Sequence, residues 1–245
     1  HYTFELVTTY PLPDGDTVYL YRQRHRLPAD YPLEYVDRLA ESLSGRTRPG
    51  DAILLTPPEL VGPFVAAYTG PAEIIVVPAT EAQQADLLQD HSRAFLVVGD
   101  PQTGQVQVQA QEWLNRRAFR AGHEWSDSLQ LLTYGIPTAT PAAAPTTELG
   151  VVLGAQIELL GYDLLTAPWS PGDIVPLTLF WQRRAAIDQD YEVFVHLLDG
   201  NGRPVAQSDC APDGGFRPTT SWSLGETVLD RNGILLPAPL PAGEY

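Results

Sequence analysis

The stretch Asp51-Ala-Ile-Leu-Leu-Thr56, followed directly by Pro57-Pro58-Glu59, decides the first part of the fold. A short run with an apolar centre has the length and character of a buried strand. Thr56 and Glu59 have the spacing of a helix capping box. Prolines suit a first helical turn, because the amide groups that they lack would have no helical partner there. We therefore predict a strand that leads straight into a helix.

Strand and helix patterns alternate on both sides of this unit. A turn signal at Pro13-Asp14-Gly15-Asp16 predicts an N-terminal β-hairpin, and Leu33, Val36, Ala40 and Leu43 have helical spacing. Apolar runs predict further strands at 73–77, 94–98 and 129–134, with a second capping box at 80–83 and a helix around Trp113. Alternation of this kind is typical of βαβ units. We predict a Rossmann-like three-layer α/β domain with a mostly parallel sheet over residues 1–135.

The segment Ile136-Pro-Thr-Ala-Thr-Pro-Ala-Ala-Ala-Pro-Thr-Thr147 predicts an extended linker, because three prolines lie among small residues without helical or strand periodicity. A surface loop inside one domain is the alternative. After it the hydrophobic period becomes two, and turn signals recur about every 8 to 12 residues. The alternating rows are Val175, Leu177, Leu179, Trp181 and Tyr191, Val193, Val195, Leu197. We predict an immunoglobulin-like or jelly-roll-type β-sandwich over residues 148–245.

Composition excludes several classes of function. The 245 residues carry 30 acidic and 15 basic side chains, a formal charge of −15, which disfavours binding to a nucleic-acid backbone. One cysteine, Cys210, excludes an intramolecular disulfide framework. No apolar run reaches the roughly 18 residues of a membrane span. Because the chain begins at His1 and contains no Met, we expect it to be a part of a longer protein.

Motifs for catalysis and cofactors are missing from the sequence. It has no G-x-G-x-x-G, no G-x-S-x-G and no H-E-x-x-H, and a Walker A motif is impossible because every basic residue is Arg. The 30 acids offer no selected pair for glycoside hydrolysis. Asp14-Gly-Asp16 and Asp199-Gly-Asn-Gly202 resemble metal-binding motifs, but hairpin turns explain both. We assign no catalytic residue, no cofactor and no metal ligand.

Two sets of residues are candidates for binding. Trp169 and Trp222 lie in loop-like sequence, where a flat ring could stack on a sugar, although packing against the sandwich is the alternative. Arg22, Arg24 and Arg26 form the densest basic cluster and could contact a lipid phosphate. The alternative for the arginines is a solvated strand end.

Residues 48–56, 68–71, 75–78, 112–120, 124–125 and 129–134 resemble the soluble region after the last membrane helix of bacterial membrane glycosyltransferases of the dolichyl-phosphate-mannose–protein mannosyltransferase type. Residues 156–163, 177–182, 190–199 and 241–245 resemble a β module appended to some of them.

The resemblance implies an extracytoplasmic accessory region of a bacterial membrane protein, attached to a parent transmembrane domain. It also implies a glycan or glycoprotein acceptor as a partner. Catalysis in that family resides in the membrane helices and the first extracytoplasmic loop, so no catalytic residue carries over to this chain. A carbohydrate-binding sandwich of a secreted protein and a stand-alone α/β enzyme are the alternative functions.

Overall fold

The computed structural model describes residues 2–11, 17–25, 33–77, 89–99, 105–137, 142–165, 168–241, 243 and 245. For 2–11, 17–25 and 105–107 it describes the backbone alone. The predicted turn at 13–16, the second capping box at 80–83 and the centre of the predicted linker lie outside the described residues.

Strands dominate the described residues. The α-helices of the described residues are α1 (Leu33–Arg46), α2 (Val61–Ala67) and α3 (Gln105–Asn115). The strands before residue 136 are β1 (Tyr2–Pro11), β2 (Thr17–His25), β3 (Asp51–Thr56), β4 (Glu73–Val76), β5 (Arg93–Val98), β6 (Phe119–Ser126) and β7 (Leu129–Gly135). Those after it are β8 (Thr147–Leu153), β9 (Ile157–Leu164), β10 (Ile174–Arg183), β11 (Val193–Leu198), β12 (Pro204–Cys210) and β13 (Thr227–Leu235).

Nine of the described strands form one mixed sheet in the order β4-β3-β5-β7-β6-β13-β10-β9-β8. Strands β4, β3 and β5 are parallel, whereas β7 is antiparallel to both β5 and β6. Strand β6 meets β13 in parallel at the pair Arg120–Asn232, so hydrogen-bonded strands join the two sides of the predicted linker. The fold class is confirmed as β-rich with an α/β part; its finer classification remains a prediction.

Helices cover both faces of the sheet before residue 136. On one face α1 and α2 pack against Ile53, Leu55 and Phe95, and on the other α3 packs against Leu54 and Leu96. The apolar runs of β3 and β5 are buried along their whole length because both faces are covered.

After residue 147 the hairpin β11–β12 packs on the sheet of β13, β10 and β9. Val195 and Leu197 of β11 contact a cluster that contains Val175 and Ile234. A second cluster contains Trp181, Trp222, Ile157 and Val228. The turn at 199–202 forms as predicted, with Asp199 Oδ1 accepting from the amide groups of Asn201 and Arg203, each at 2.9 Å.

Two local predictions are wrong. Thr56 ends β3 rather than capping a helix; Pro57 precedes a 3-10 turn at Pro58–Leu60 without a side-chain cap. The sheet before residue 136 is not mostly parallel, because β7 pairs antiparallel with both β5 and β6. The sequence of β6, FRAGHEWS, is too polar to read as a buried strand, and the strand is half-exposed.

The backbone of β1 and β2 forms the predicted antiparallel hairpin, with Tyr2 opposite His25 and Pro11 opposite Thr17. No described helix has both the length and the apolar character needed to cross a membrane.

Candidate functional site: a cleft at the seam between two parts of the sheet

A seam joins the residues before the predicted linker to those after it, and a buried ion pair stabilises one end. Arg93 donates from Nε to Asp51 Oδ1 at 2.9 Å and from Nη2 to Asp51 Oδ2 at 2.5 Å. Its Nη1 donates to the Gly172 carbonyl at 2.8 Å. Arg48 also pairs with Asp173 across the seam. One guanidinium therefore satisfies a buried carboxylate and positions a loop of the β part.

In the middle of the seam, Gly135 packs closely against the side chain of Ile174. Strand β7 ends at Gly135, where an added Cβ would lie 2.7 Å from Cγ2 of Ile174. A larger residue at position 135 would push β10 away from β7.

The other end of the seam is a chain of hydrogen bonds. The buried Tyr134 hydroxyl donates to Asn115 Oδ1 at 2.9 Å, and Asn115 Nδ2 donates to the Asp213 carbonyl at 3.0 Å. Arg120 Nη1 donates to the Gly214 carbonyl at 2.9 Å. Gly214 has φ +64°, and a Cβ there would lie 2.5 Å from Asn115 Nδ2. Glycine is therefore required for this turn to insert against the α/β part.

Beside this turn lies an open cleft of about 420 Å³, which we call the seam cleft. Strand β6 pairs with β7 along its whole length but with β13 only at Arg120, and the cleft lies between β6 and β12. Its residues are Arg120, Ala121, Gly122 and His123 from β6, Gln207 to Cys210 from β12, and Glu192 and Ala211. Apart from Cys210, six of these residues have a polar or charged side chain. The cleft therefore offers both hydrogen-bond donors and hydrogen-bond acceptors.

The histidine of the cleft favours its neutral form. Burial, and then the charge of Arg120, lower the pKa of His123. Its Nε2 lies 2.6 Å from the Gln130 amide nitrogen, in agreement with a neutral ring that accepts a hydrogen bond. The Cys210 thiol is not activated, since burial raises its pKa.

Two carboxyl groups lie behind the cleft in a poorly solvated region. Burial, and then the charge of Asp230, raise the pKa of Asp213 to about 6. Burial also raises the pKa of Asp230, which accepts from the Asp213 amide at 3.0 Å and from Trp181 Nε1 at 3.4 Å. Perturbed carboxyl groups beside a cleft are a frequent mark of a functional site.

An aromatic ring lies next to the polar lining. Trp125 is 46% exposed, and its ring centroid is 5.8 Å from that of His123. An exposed indole beside hydrogen-bond donors and acceptors can bind a ligand that has an apolar face and a polar rim. Among the described residues, no group of three or more His, Cys, Asp or Glu is arranged to hold a metal ion.

The two tryptophans selected from the sequence line different cavities. Trp169 is 37% exposed and lines a groove of about 520 Å³ with Pro171, Leu240 and Tyr245. Trp222 is only 2% exposed, packs in the core, and reaches a separate cavity of about 230 Å³. The structure does not bring them together, and burial leaves Trp222 no ring face on the outer surface.

The arginine cluster is described only in part. Arg22 and Arg24 lie in β2, opposite Glu5 and Thr3 of β1. Arg26 lies outside the described residues, and the contact with a lipid phosphate stays a prediction.

Sequence reasoning missed the residues of the seam cleft. Arg120, His123 and Trp125 lie in a strand too polar to be recognised, and Asp209 lies some ninety positions further along the chain. The dense polar run Arg120-Ala-Gly-His-Glu-Trp125 and the turn Ala211-Pro-Asp-Gly-Gly215 were the available signals.

Comparison with protein-family models, with curated proteins and with solved structures finds no match to this chain.

Proposed function

We propose that this chain is a non-catalytic extracytoplasmic region of a membrane-bound glycosyltransferase, and that it recognises the glycan part of an acceptor in the seam cleft. The observation that carries the glycan-binding proposal is the cleft itself, in which β6 and β12 present charged, amide and hydroxyl groups beside an exposed tryptophan. Sugars present hydroxyl groups that both donate and accept, together with apolar ring faces. The attachment to a membrane glycosyltransferase is supported by the sequence resemblance.

The groove at Trp169 is the second candidate for the sugar site. It is larger and carries an exposed indole, but its lining is mainly apolar. The Tyr245 hydroxyl, its clearest polar group, donates to the Pro241 carbonyl at 2.5 Å. We favour the seam cleft because it provides more side chains that can bind hydroxyl groups.

The finer fold assignment belongs to the same proposal. We infer a Rossmann-like three-layer arrangement with an N-terminal β-hairpin for residues 1–135, supported by helices on both faces of the sheet. We infer a sandwich of immunoglobulin-like or jelly-roll type for residues 148–245, supported by the packing of β11–β12 on β10 and β13.

A glycan array with five proteins tests the glycan-binding proposal. We expect wild type to bind a defined set of glycans, and Asp209→Asn and Trp125→Ala each to weaken that binding about tenfold or more, because each removes a direct contact. Asp37→Asn is the matched control, since it makes the same chemical change at an exposed position of α1. Loss of binding in Trp169→Ala, with Asp209→Asn unaffected, would move the site to the groove. Absence of binding to every glycan would contradict both candidates.

A further inference from the structure

An unpaired sheet edge and an apolar cavity meet at the end of β8. Within the described part of the chain the nine-stranded sheet ends at β8, whose seven residues are all exposed. Four of them have large apolar side chains: Leu149, Val151, Val152 and Leu153, 46%, 45%, 53% and 49% exposed. We call these four residues the edge patch. Proteins usually protect such an edge, because it is a template for another strand.

The geometry of β8 restricts where another strand could pair. A bulge interrupts its pairing with β9 between Glu148 and Val151, and Gly150 within it has φ +66°. Val151, Val152 and Leu153 then pair regularly with β9. The straight part of the edge therefore leads directly to the cavity.

The cavity that Trp222 reaches, which we call the end cavity, begins where the straight edge stops. Leu153, Ile157, Trp181, Val193 and Trp222 form much of its apolar lining. At about 230 Å³ it is larger than the cavity of about 150 Å³ that binds benzene in an engineered protein. It is smaller than the roughly 300 Å³ at which pockets for drug-sized ligands begin. One aromatic ring is therefore the size of occupant that suits it.

The polar groups at the mouth of the end cavity already have partners. The Tyr191 hydroxyl donates to Gln156 Oε1 at 3.2 Å, and Gln156 Nε2 donates to the Ala186 carbonyl at 2.7 Å. The occupant therefore needs no hydrogen bond from these groups. Glu192 also lines the cavity, and the chain as a whole carries a charge of −15, so basic residues would suit the flanks of an occupant.

We propose that β8 and the end cavity bind an extended polypeptide segment of a partner protein, which adds a strand to the sheet edge and inserts one aromatic side chain beside Trp181 and Trp222. Backbone hydrogen bonds to the edge supply part of the affinity, and the cavity supplies selectivity. Basic residues on both sides of the aromatic anchor complement the acidic chain. Glu192 lines both the end cavity and the seam cleft, but the proposal does not depend on glycan binding.

Fluorescence anisotropy with a labelled peptide Arg-Val-Thr-Phe-Thr-Val-Arg tests the proposal. We expect wild type to bind it, and to bind a counterpart with alanine in place of phenylalanine about tenfold or more weakly. Val152→Lys changes the edge, Val193→Phe fills the cavity, and Tyr191→Ala alters the mouth without changing a core position. Each should weaken binding by a similar factor, whereas Val65→Lys, the same change as at Val152 on an exposed valine of α2, should have no effect.

Three results would overturn the proposal. The first is no peptide binding to wild type. The second is equal binding by wild type, Tyr191→Ala and Val193→Phe, once thermal unfolding has shown that the variants are folded. The third is a concentration-dependent dimer in sedimentation that Val152→Lys abolishes, without peptide binding, because a second copy of this chain would then cover the edge.

Discussion

Asp213 combines an unusual backbone conformation with an unusual carboxyl group. Its φ is +53°, a region that Asn and Asp tolerate better than other side chains. Its carboxyl group lies near Asp230, with Arg231, Arg217 and Arg116 as more weakly acting opposite charges. The pKa of Asp213 is raised to about 6 in the folded protein. Between about pH 4 and pH 6 the folded protein therefore still holds a proton on this carboxyl group, whereas the unfolded chain has already released it. The stability contributed by this proton is complete below about pH 4 and is lost as the pH rises through about 6.

Asp213→Asn should therefore stabilise the protein at neutral pH. Asparagine keeps the backbone conformation and removes the charge from a partly buried site. Because one pKa unit corresponds to about 1.4 kcal/mol, and the site is only partly buried, we expect a gain of about 1–2 kcal/mol at pH 7. The gain should shrink toward pH 4, where the aspartate is itself protonated. Urea unfolding at both pH values measures it.

Asp190→Asn is the control, because the expected change in stability at pH 7 has the opposite sign. Hydrogen bonds from the amide and hydroxyl of Thr220 lower the pKa of Asp190, so its ionised form stabilises the folded state. This variant should lose stability at pH 7 and lose less at low pH. If Asp213→Asn also lost stability at pH 7, the charge of Asp213 would be favourable, and our description of its surroundings would be wrong.

At the scale of elements, the buried ion pair connects two strands to a loop. Asp51 begins β3, Arg93 begins β5, and both side chains are almost fully buried. Asp51→Asn leaves the Arg93 charge without its carboxylate partner. Removing one partner of a buried pair costs about 3–5 kcal/mol, and we expect a loss of that size in the free energy of unfolding.

Glu112→Gln provides the comparison for this prediction. Glu112 lies in the last turn of α3 and pairs with Arg116, which directly follows the end of this helix. Both side chains are exposed. Exposed pairs of this spacing contribute about 0.3–0.5 kcal/mol, so this variant should be nearly neutral. Similar small losses in Asp51→Asn and Glu112→Gln would show that the buried pair does not stabilise the seam.

The elements also show what the sequence can predict. Strands β3, β5 and β7 were predicted because helices or other strands cover both faces, which requires continuous apolar runs. Strand β10 was predicted from its alternating row. Strand β6 was not predicted, because its sequence lacks the continuous apolar run of a buried strand. It lies at the seam, where much of the strand is exposed, and it carries polar residues there. The cleft depends on β6, so the site was missed for the same reason.

At the scale of the whole molecule, the seam determines which residues can act together. The sequence predicted two units and a linker but contained no sign that Arg93 would bind the Gly172 carbonyl or that Asn115 would bind the Asp213 carbonyl. Such contacts depend on three-dimensional packing between positions about 80 and 100 residues apart. Trp169 and Trp222 looked equivalent in sequence, yet burial separates them, because Trp222 lies in a core cluster and Trp169 lines an open groove.

The −15 charge has a consequence for the ligand of the cleft. Glu192 and Asp209 line the cleft together with Arg120, and neutral His123 adds no positive charge. The cleft thus does not favour a strongly anionic ligand such as a sugar phosphate. A neutral glycan is the occupant that best matches this balance of charge and hydrogen-bonding groups.

The most direct test is to map the bound glycan by NMR chemical shifts on the 15N-labelled chain, with the glycan that binds best on the array. We predict that the amide signals that move most belong to β6 around Arg120 and His123 and to β12 around Asp209, with the Trp125 indole signal moving as well. Shifts confined to Trp169 and its groove, or no shifts at a saturating concentration of the glycan, would contradict the assignment of the seam cleft as the recognition site.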